Sequence, residues 1–161
     1  MNLFSSLLRR IIHYFGNLIR WLHITYLRCM GVKIGRGCMI SLRAKIDIRR
    51  GKITIGNYCT ITYGCVILSH DRSAMHINPL DSGEGEVVIK DNVYIGVNSV
   101  VLRNVTIGEN SVIGAGSVVT RDIPPNSVAV GNPARVVKKI ERFEHPQPDN
   151  LAVELAARSA G

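Results

Sequence analysis

Residues 89–140 read IKDNVYIGVNSVVLRNVTIGENSVIGAGSVVTRDIPPNSVAVGNPARVVKKI, and one spacing runs through them. Aliphatic side chains return at every sixth position: Ile89, Ile95, Val101, Ile107, Ile113 and Val119. Four residues after each of the first five comes a second rail of Val93, Ser99, Val105, Ser111 and Ser117. A period of six fits neither an α-helix nor a plain strand. It fits a coil that turns a corner every six residues, each short strand stacking on the strand one full turn away. Asn92, Asn98, Asn104 and Asn110 also fall six apart, and Gly116 takes the next place in that series. Asn and Gly tolerate the left-handed backbone that tight corners need, so corners and core rails share one register.

The same pattern extends towards the N-terminus. Ile34, Ile40 and Ile46 carry it, with Cys38 and Ala44 on the small rail. After a slip of three residues it resumes at Ile55, Ile61 and Ile67, with Cys59 and Cys65. It stops after Ile67 and restarts at Ile89, 22 residues later, a distance that reads as three six-residue steps plus four extra. The segment His70–Glu86, HDRSAMHINPLDSGEGE, is polar and rich in turn residues, so it reads as an exposed loop. The chain divides into a basic helical segment at 1–30, a solenoid at 31–140 with a protruding loop at about 70–86, and a tail at 141–161. Within that tail PQPDN (146–150) reads as a linker and Leu151 to Arg158 as a short helix.

Composition sets bounds on partners. The chain has 161 residues, a formal charge of +8 and only 6% aromatic residues. That length suits one domain with one core. Nucleic-acid binding would call for a basic stripe interleaved with stacking aromatics or a known motif, and neither is found. A phosphate-rich cofactor or an anionic membrane surface explains the charge better. Cys29, Cys38, Cys59 and Cys65 form no C-x-x-C pair, and three of them fall on inward positions. They read as small buried hydrophobes rather than as metal ligands, disulfides or a nucleophile. With no signal-peptide pattern, a reducing cytoplasm fits.

The run from Ile89 to Ile140, and IGAGSVVTRDIPPNSVAVGNPARVV within it above all, resembles the hexapeptide-repeat acyltransferases, in particular the maltose, galactoside and polysaccharide O-acetyltransferase group. The resemblance covers roughly residues 30–140. It implies an all-β fold, a left-handed parallel β-helix, with an N-terminal amphipathic helix and a short C-terminal helix added by this chain. It also implies a homotrimer that binds acetyl-CoA, without a metal, in clefts between subunits. Left-handedness comes from the resemblance alone, since spacing does not give it and the usual crossover rule favours the other hand.

His70 follows Ile67 by three residues, at the corner where the repeat breaks. It matches the family's catalytic histidine, a general base that takes the hydroxyl proton as the oxygen attacks the thioester. His76 reads as an acceptor or cofactor contact or as a surface residue. Asp71 is a candidate acceptor contact; it adjoins His70, but neighbours on an extended chain point to opposite sides, which argues against its orienting that ring. Asp47, at an earlier corner, is another candidate acceptor contact. Relatives carry acidic and amide residues before the Ile55 coil, whereas this chain has Arg49 and Arg50. Cofactor positions carried over by the resemblance are Val97, Ala115, Thr120, Arg121, Arg135 and Lys138, the cations suiting phosphate. Val97 stands where some relatives have serine, and Tyr94 replaces a frequent tryptophan.

Phe4, Leu8, Ile11, Phe15, Leu18 and Leu22 recur at helical spacing, and Arg9, Arg10, Arg20 and Arg28 add charge with no acid beside them. Such a helix suits the interface of an anionic membrane, on the inner face of the cytoplasmic membrane, or packing on the solenoid or across the trimer. Apolar residues never run long enough to span a bilayer. The leading expectation is an acetyl-CoA-dependent O-acetyltransferase acting on a sugar or glycan hydroxyl in surface polysaccharide biosynthesis. Its alternatives are an N-acetyltransferase of an amino sugar or small amine, a γ-carbonic-anhydrase-like zinc enzyme and a non-catalytic scaffold.

Overall fold

The computed structural model describes the backbone of residues 3–141 and the side chains of residues 15–141. A helix, α1 (Leu3–Cys29), leads into four coils of three short strands each. The first coil is β1 (Lys33–Ile34), β2 (Met39–Ile40) and β3 (Lys45–Ile46). The second is β4 (Lys52–Ile55), β5 (Thr60–Ile61) and β6 (Val66–Ile67). A short helix, α2 (Ser73–Ile77), interrupts the path to the third coil, β7 (Glu86–Ile89), β8 (Tyr94–Ile95) and β9 (Val100–Val101). The fourth coil is β10 (Val105–Ile107), β11 (Val112–Ile113) and β12 (Val118–Val119). A hairpin of β13 (Ser127–Gly131) and β14 (Ala134–Lys139) closes the stack.

Stacking sorts these strands into three sheets around one prism. Sheet A is β1-β4-β7-β10, sheet B is β2-β5-β8-β11-β13-β14, and sheet C is β3-β6-β9-β12. Every pairing is parallel except that of β13 with β14. Register follows the aliphatic rail read from sequence: Ile34 faces Ile55, which faces Ile89, which faces Ile107. On sheet C the corresponding series is Ile46, Ile67, Val101 and Val119.

The core is a column of these side chains. Ile40, Ile55, Ile61, Ile67, Ile89, Ile95, Ile107 and Ile113 are all fully buried. Each such burial stabilises the fold by roughly 1.5–3 kcal/mol before chain entropy is counted. Polar residues on the small rail have a local solution. Ser99 Oγ donates to the carbonyl of Gly114 at 2.9 Å, and Ser111 Oγ to that of Pro124 at 3.0 Å. Cys59 and Cys65 do the same with their thiols, each 3.0 Å from the carbonyl of Lys90 or Gly96. The rail therefore takes small side chains, and Ser and Cys stand there beside Val and Ala because their hydroxyl or thiol reaches a corner carbonyl. Asn92, Asn98, Asn104 and Asn110 have φ of 55–58°, and Gly116 has 67°, so the corner series is left-handed throughout.

Two coils depart from the 18-residue turn of the later ones. Between the first and second the offset is 21, Ile46 facing Ile67, and the three extra residues widen the corner around 47–51. Between the second and third it is 34, Ile55 facing Ile89, which exceeds an 18-residue coil by sixteen residues. The reading of three hexads plus four extra between Ile67 and Ile89 is thereby corrected. Only one six-residue step lies there, and the loop takes the rest, because its polar residues offer no aliphatic rail to bury.

α1 plugs the open end of the prism. Leu27 is buried and Ile24 packs against the core, while Arg28 donates to the carbonyls of Ile34 at 3.0 Å and Gly35 at 2.8 Å. Leu18 and Leu22 of the expected apolar stripe are exposed; Phe4, Leu8 and Ile11, with Arg9 and Arg10, have side chains outside the described residues. So does the helix expected from Leu151 to Arg158, together with the rest of 142–161. No described helix is long and apolar enough to cross a membrane.

Candidate active site

The two irregular coils meet at one edge of the prism, where chain passes from sheet C to sheet A. The widened corner after β3 carries Asp47, and the loop opening after β6 carries His70. The Asp47 amide donates to the Ile67 carbonyl at 3.0 Å, which sets its side chain beside the corner above. There its Oδ2 forms a short hydrogen bond with His70 Nδ1. Ser69 Oγ lies 3.2 Å from the same oxygen and also donates to the Arg50 carbonyl. The Arg49 amide donates to Asp47 Oδ1 at 3.2 Å. The Asp47 side chain is 5% exposed and that of His70 is 29% exposed.

This environment settles the charge of Asp47. Burial alone would raise its pKa, but the bonds from His70, the Arg49 amide and Ser69 outweigh it, so the carboxyl is held below its usual range. An ionised carboxylate only accepts, so Nδ1 carries the proton and Nε2 is the basic nitrogen. Among the described residues Nε2 has no hydrogen-bond partner.

Three features frame the imidazole. A cleft of about 280 Å³ is lined by His70, Arg49, Arg50, Arg72, Met75 and Ser82. A second cleft of about 380 Å³ reaches His70 from the side of α1, with His23, Tyr26 and Leu27 on its wall. His23 Nε2 is buried with no hydrogen-bond partner among the described residues. The loop itself is tied down: His70 bridges Glu84, the Asp71 amide donates to the Gly83 carbonyl at 2.7 Å, and Arg103 Nη2 lies 2.6 Å from Asp81 Oδ2.

The sequence-derived candidates separate as follows. Asp47, expected as an acceptor contact, has its carboxylate taken up by His70, Ser69 and the Arg49 amide. Asp71 does not orient His70. Its Oδ1 accepts from the Ser73 amide at 2.9 Å and the Ser73 hydroxyl at 2.7 Å, which holds its carboxyl below the usual range and fixes the start of α2. His76 is exposed on α2. Thr120 and Arg121 follow β12 on the same C–A edge as His70. Val97 and Ala115 lie on the B–C edge, where the Gly116 amide donates to the Val97 carbonyl at 2.8 Å. Arg135 pairs in register with Val130, whose side chain abuts Gly114 on that edge. Lys138 lies further along the hairpin, opposite Val128. One chain thus splits the expected cofactor residues between two edges. Sequence reasoning missed the Asp47–His70 pairing, the approach of Arg72 and the tie between Asp81 and Arg103. The three-residue slip after Ile46 was the one signal for the first. Among the described residues no group of three or more metal-ligating side chains forms.

Comparison with known proteins places this fold. A family model described as bacterial transferase hexapeptide (six repeats) matches residues 86–121. Protein CapG of Staphylococcus aureus is 41% identical over 123 residues, 73% of this chain and 72% of that protein. The chain belongs to the hexapeptide-repeat transferase family. A maltose O-acetyltransferase from Clostridium difficile 630, known by crystal structure, is 33% identical to this hexapeptide transferase with a TM-score of 0.52, covering 72% of this chain and 73% of that one. A hexapeptide-repeat acetyltransferase from Vibrio cholerae O1 biovar eltor, solved as a complex with acetyl coenzyme A, is 25% identical with a TM-score of 0.55, covering 74% and 76%. Such neighbours imply a left-handed hand for the coil. Other curated relatives are longer: the match spans 26% of one from Schizosaccharomyces pombe and 39% of several from Staphylococcus aureus.

Proposed function

We propose that this hexapeptide transferase moves an acetyl group from acetyl-CoA to a hydroxyl of a sugar or glycan, with His70 as general base. The observation that carries the reading is the pairing of His70 Nδ1 with buried Asp47 at the corner where the coil opens. It fixes the tautomer and leaves Nε2 unengaged on a ring that lines both clefts, the arrangement by which a carboxylate orients a catalytic imidazole. Nε2 takes the acceptor hydroxyl proton as the oxygen bonds to the thioester carbonyl carbon. The tetrahedral adduct then collapses, the carbon–sulfur bond breaks, and the proton passes from Nε2 to the departing sulfur. The thioester is already activated, so no acyl-enzyme is required.

The division of cofactor candidates between two edges supports a homotrimer. A second copy setting its Val97–Ala115–Arg135 edge against the His70–Thr120–Arg121 edge of the first would complete one donor groove. Coenzyme A fits such a groove: backbone groups of Ala115 and Val97 meet its pantetheine amides, and Arg121, Arg135 and Lys138 meet its phosphates. Thiol release from acetyl-CoA, followed with a panel of sugar, amino-sugar and amine acceptors and mass spectrometry of the products, tests the whole reading. An O-acetylated sugar is expected. Transfer to nitrogen alone would replace the sugar-hydroxyl assignment, and activity undiminished in His70→Ala would end the role of His70.

α1 supports a peripheral place at an anionic membrane. Ile24 and Leu27 face the solenoid, while Leu18, Ile19, Leu22, Tyr26 and Trp21 are exposed. Residues 1–46 contain eight Lys and Arg and no Asp or Glu, so they account for the whole net charge of +8. Apolar side chains beside unopposed cations match anionic lipid, whereas the same cationic end of another copy would repel it. Flotation with phosphatidylglycerol vesicles should carry the full chain, and phosphatidylcholine vesicles should not. Chain that stays in the soluble fraction as a compact trimer, with Trp21 shielded from quenchers, would assign the helix to subunit packing.

A further inference from the structure

Three arginines from two separate parts of the chain line the cleft over His70, and no Asp or Glu lines it with them. Arg49 and Arg50 come from the widened corner after β3, and Arg72 from the start of the loop. None of the three pairs with a carboxylate among the described residues, although Arg103 on the same edge does. The backbones of Arg49 and Arg50 are already committed, one amide to Asp47 and one carbonyl to Ser69, so the same contacts that orient His70 also fix where both side chains start. Unpaired cations gathered around one cleft repel one another, and an anion placed among them relieves that cost and gains charge-assisted hydrogen bonds. Gln or Asn would serve a neutral sugar as well, without the repulsion.

Building on the acyl-transfer reading above, we infer that the acceptor is anionic: a sugar bearing a phosphate or carboxylate close to the hydroxyl that is acetylated. Arg49, Arg50 and Arg72 hold that anion and so present the hydroxyl to His70 Nε2. Sugar phosphates, nucleotide sugars and uronic or other acidic glycans share this chemistry. The phosphates of coenzyme A are the other source of such an anion, and the kinetics separate the two.

The test compares acceptors that differ only in the anion: N-acetylglucosamine with its 1-phosphate, and galactose with galacturonic acid. The anionic member should show kcat/KM higher by about tenfold or more, the range expected for charge-assisted bonds. In the triple variant Arg49→Gln, Arg50→Gln, Arg72→Gln that preference should vanish through acceptor KM, with KM for acetyl-CoA changing by less than about twofold. The corresponding triple Lys variant keeps the charge and should retain part of the preference, which guards against misfolding as the cause. Equal use of neutral and anionic acceptors by the wild type overturns the inference. So does a triple variant whose defect lies in KM for acetyl-CoA, since the cations would then serve the donor. A second readout needs no turnover: N-acetylglucosamine 1-phosphate should shift the His70 imidazole NMR signals saturably, N-acetylglucosamine should not, and the Gln variant should lose the response. Anion binding without acetyl transfer to any acceptor would reject the acyltransferase reading and keep the anion site. Transfer without anion preference would do the reverse.

Discussion

Asp47 and His70 lie 23 residues apart and belong to successive coils, yet they share a hydrogen bond across one edge of the prism. The widened corner after β3 and the loop after β6 are each irregular by themselves; together they place a buried carboxylate under an accessible imidazole. His70→Ala should lower kcat by about 10²- to 10⁴-fold, the usual share of a general base, with the fold intact. Asp47→Asn keeps the shape but removes the charge that selects the tautomer. It should lower kcat by at least about tenfold while leaving KM for acetyl-CoA nearly unchanged. Steady-state kinetics on both variants check this, and an Asp47→Asn enzyme with wild-type kcat would mean that the pairing is only structural.

The same carboxylate links stability to pH. Its folded pKa is depressed, so its ionised form favours the native state. That contribution is complete above the ordinary carboxylate pKa of about 4 and is lost as pH falls through the lower folded value. Wild type should therefore exceed Asp47→Asn in urea midpoint at about pH 5, just above the ordinary carboxylate range. The margin should shrink in acid. A margin that grows as pH falls from about 4 to about 2 would reverse the assigned sign.

Gly51 stands between these residues, with φ of 71°. A Cβ there would lie 2.3 Å from the Ser69 carbonyl oxygen and 2.4 Å from that of Gly85. Both obstacles are backbone, so neither can swing away. Gly51→Ala should cost about 1–3 kcal/mol and should impair acetyl transfer by displacing the Ser69–Asp47–His70 chain. Chemical denaturation and kcat measured together test this. A variant that matches wild type in both would show that the corner has room to relax.

Much of the scaffold was legible because it is written in spacing. Ile89 to Val119 repeat at six, and Asn92 to Asn110 mark the corners, so one local rule applied many times gives three sheets and their register. The site was legible in part. His70 stood out by its place at the break in that rule. Asp47 did not, because its partnership depends on how far a three-residue slip swings one corner towards the next. Arg72 and Asp81 were opaque for a related reason: sixteen extruded residues carry no rail, and their path is set by contacts such as that of Arg103 with Asp81 rather than by periodicity.

Asn110 allows the corner rule itself to be measured. Its φ is 56°, and its side chain joins a ladder: Asn92 Nδ2 donates to Asn110 Oδ1 at 2.9 Å, and Asn110 Nδ2 to Asn126 Oδ1 at 3.1 Å. Asn110→Gly loses the ladder but keeps an easy left-handed backbone. Asn110→Ala loses both, so it should be less stable than the Gly variant by about 1–2 kcal/mol. Denaturation midpoints of the two variants give the difference directly, and a more stable Ala variant would contradict the left-handed corner.

Asp81 and Arg103 fasten the loop to the third coil, and cutting that tie separates loop order from fold stability. Arg103 holds the Asp81 carboxyl below its usual range, and the Gly83 amide adds to the effect. Arg103 also donates to the Glu84 carbonyl at 3.1 Å. Both contacts lie near the surface, where ion pairs add little to global stability. Their consequence is local: they hold residues 81–84 close to His70, which bridges Glu84. Arg103→Gln should leave the thermal midpoint within about 2 °C of wild type, since only surface contacts are lost. It should nevertheless speed tryptic cleavage after Arg72, because the loop opens more often. Acceptor KM should rise with it, as Arg72 and Ser82 lose their places over the imidazole. A cleavage rate and acceptor KM both equal to those of wild type would show that the loop is held by its own turns, Asp71 to Ser73 above all, and needs no anchor on the coil.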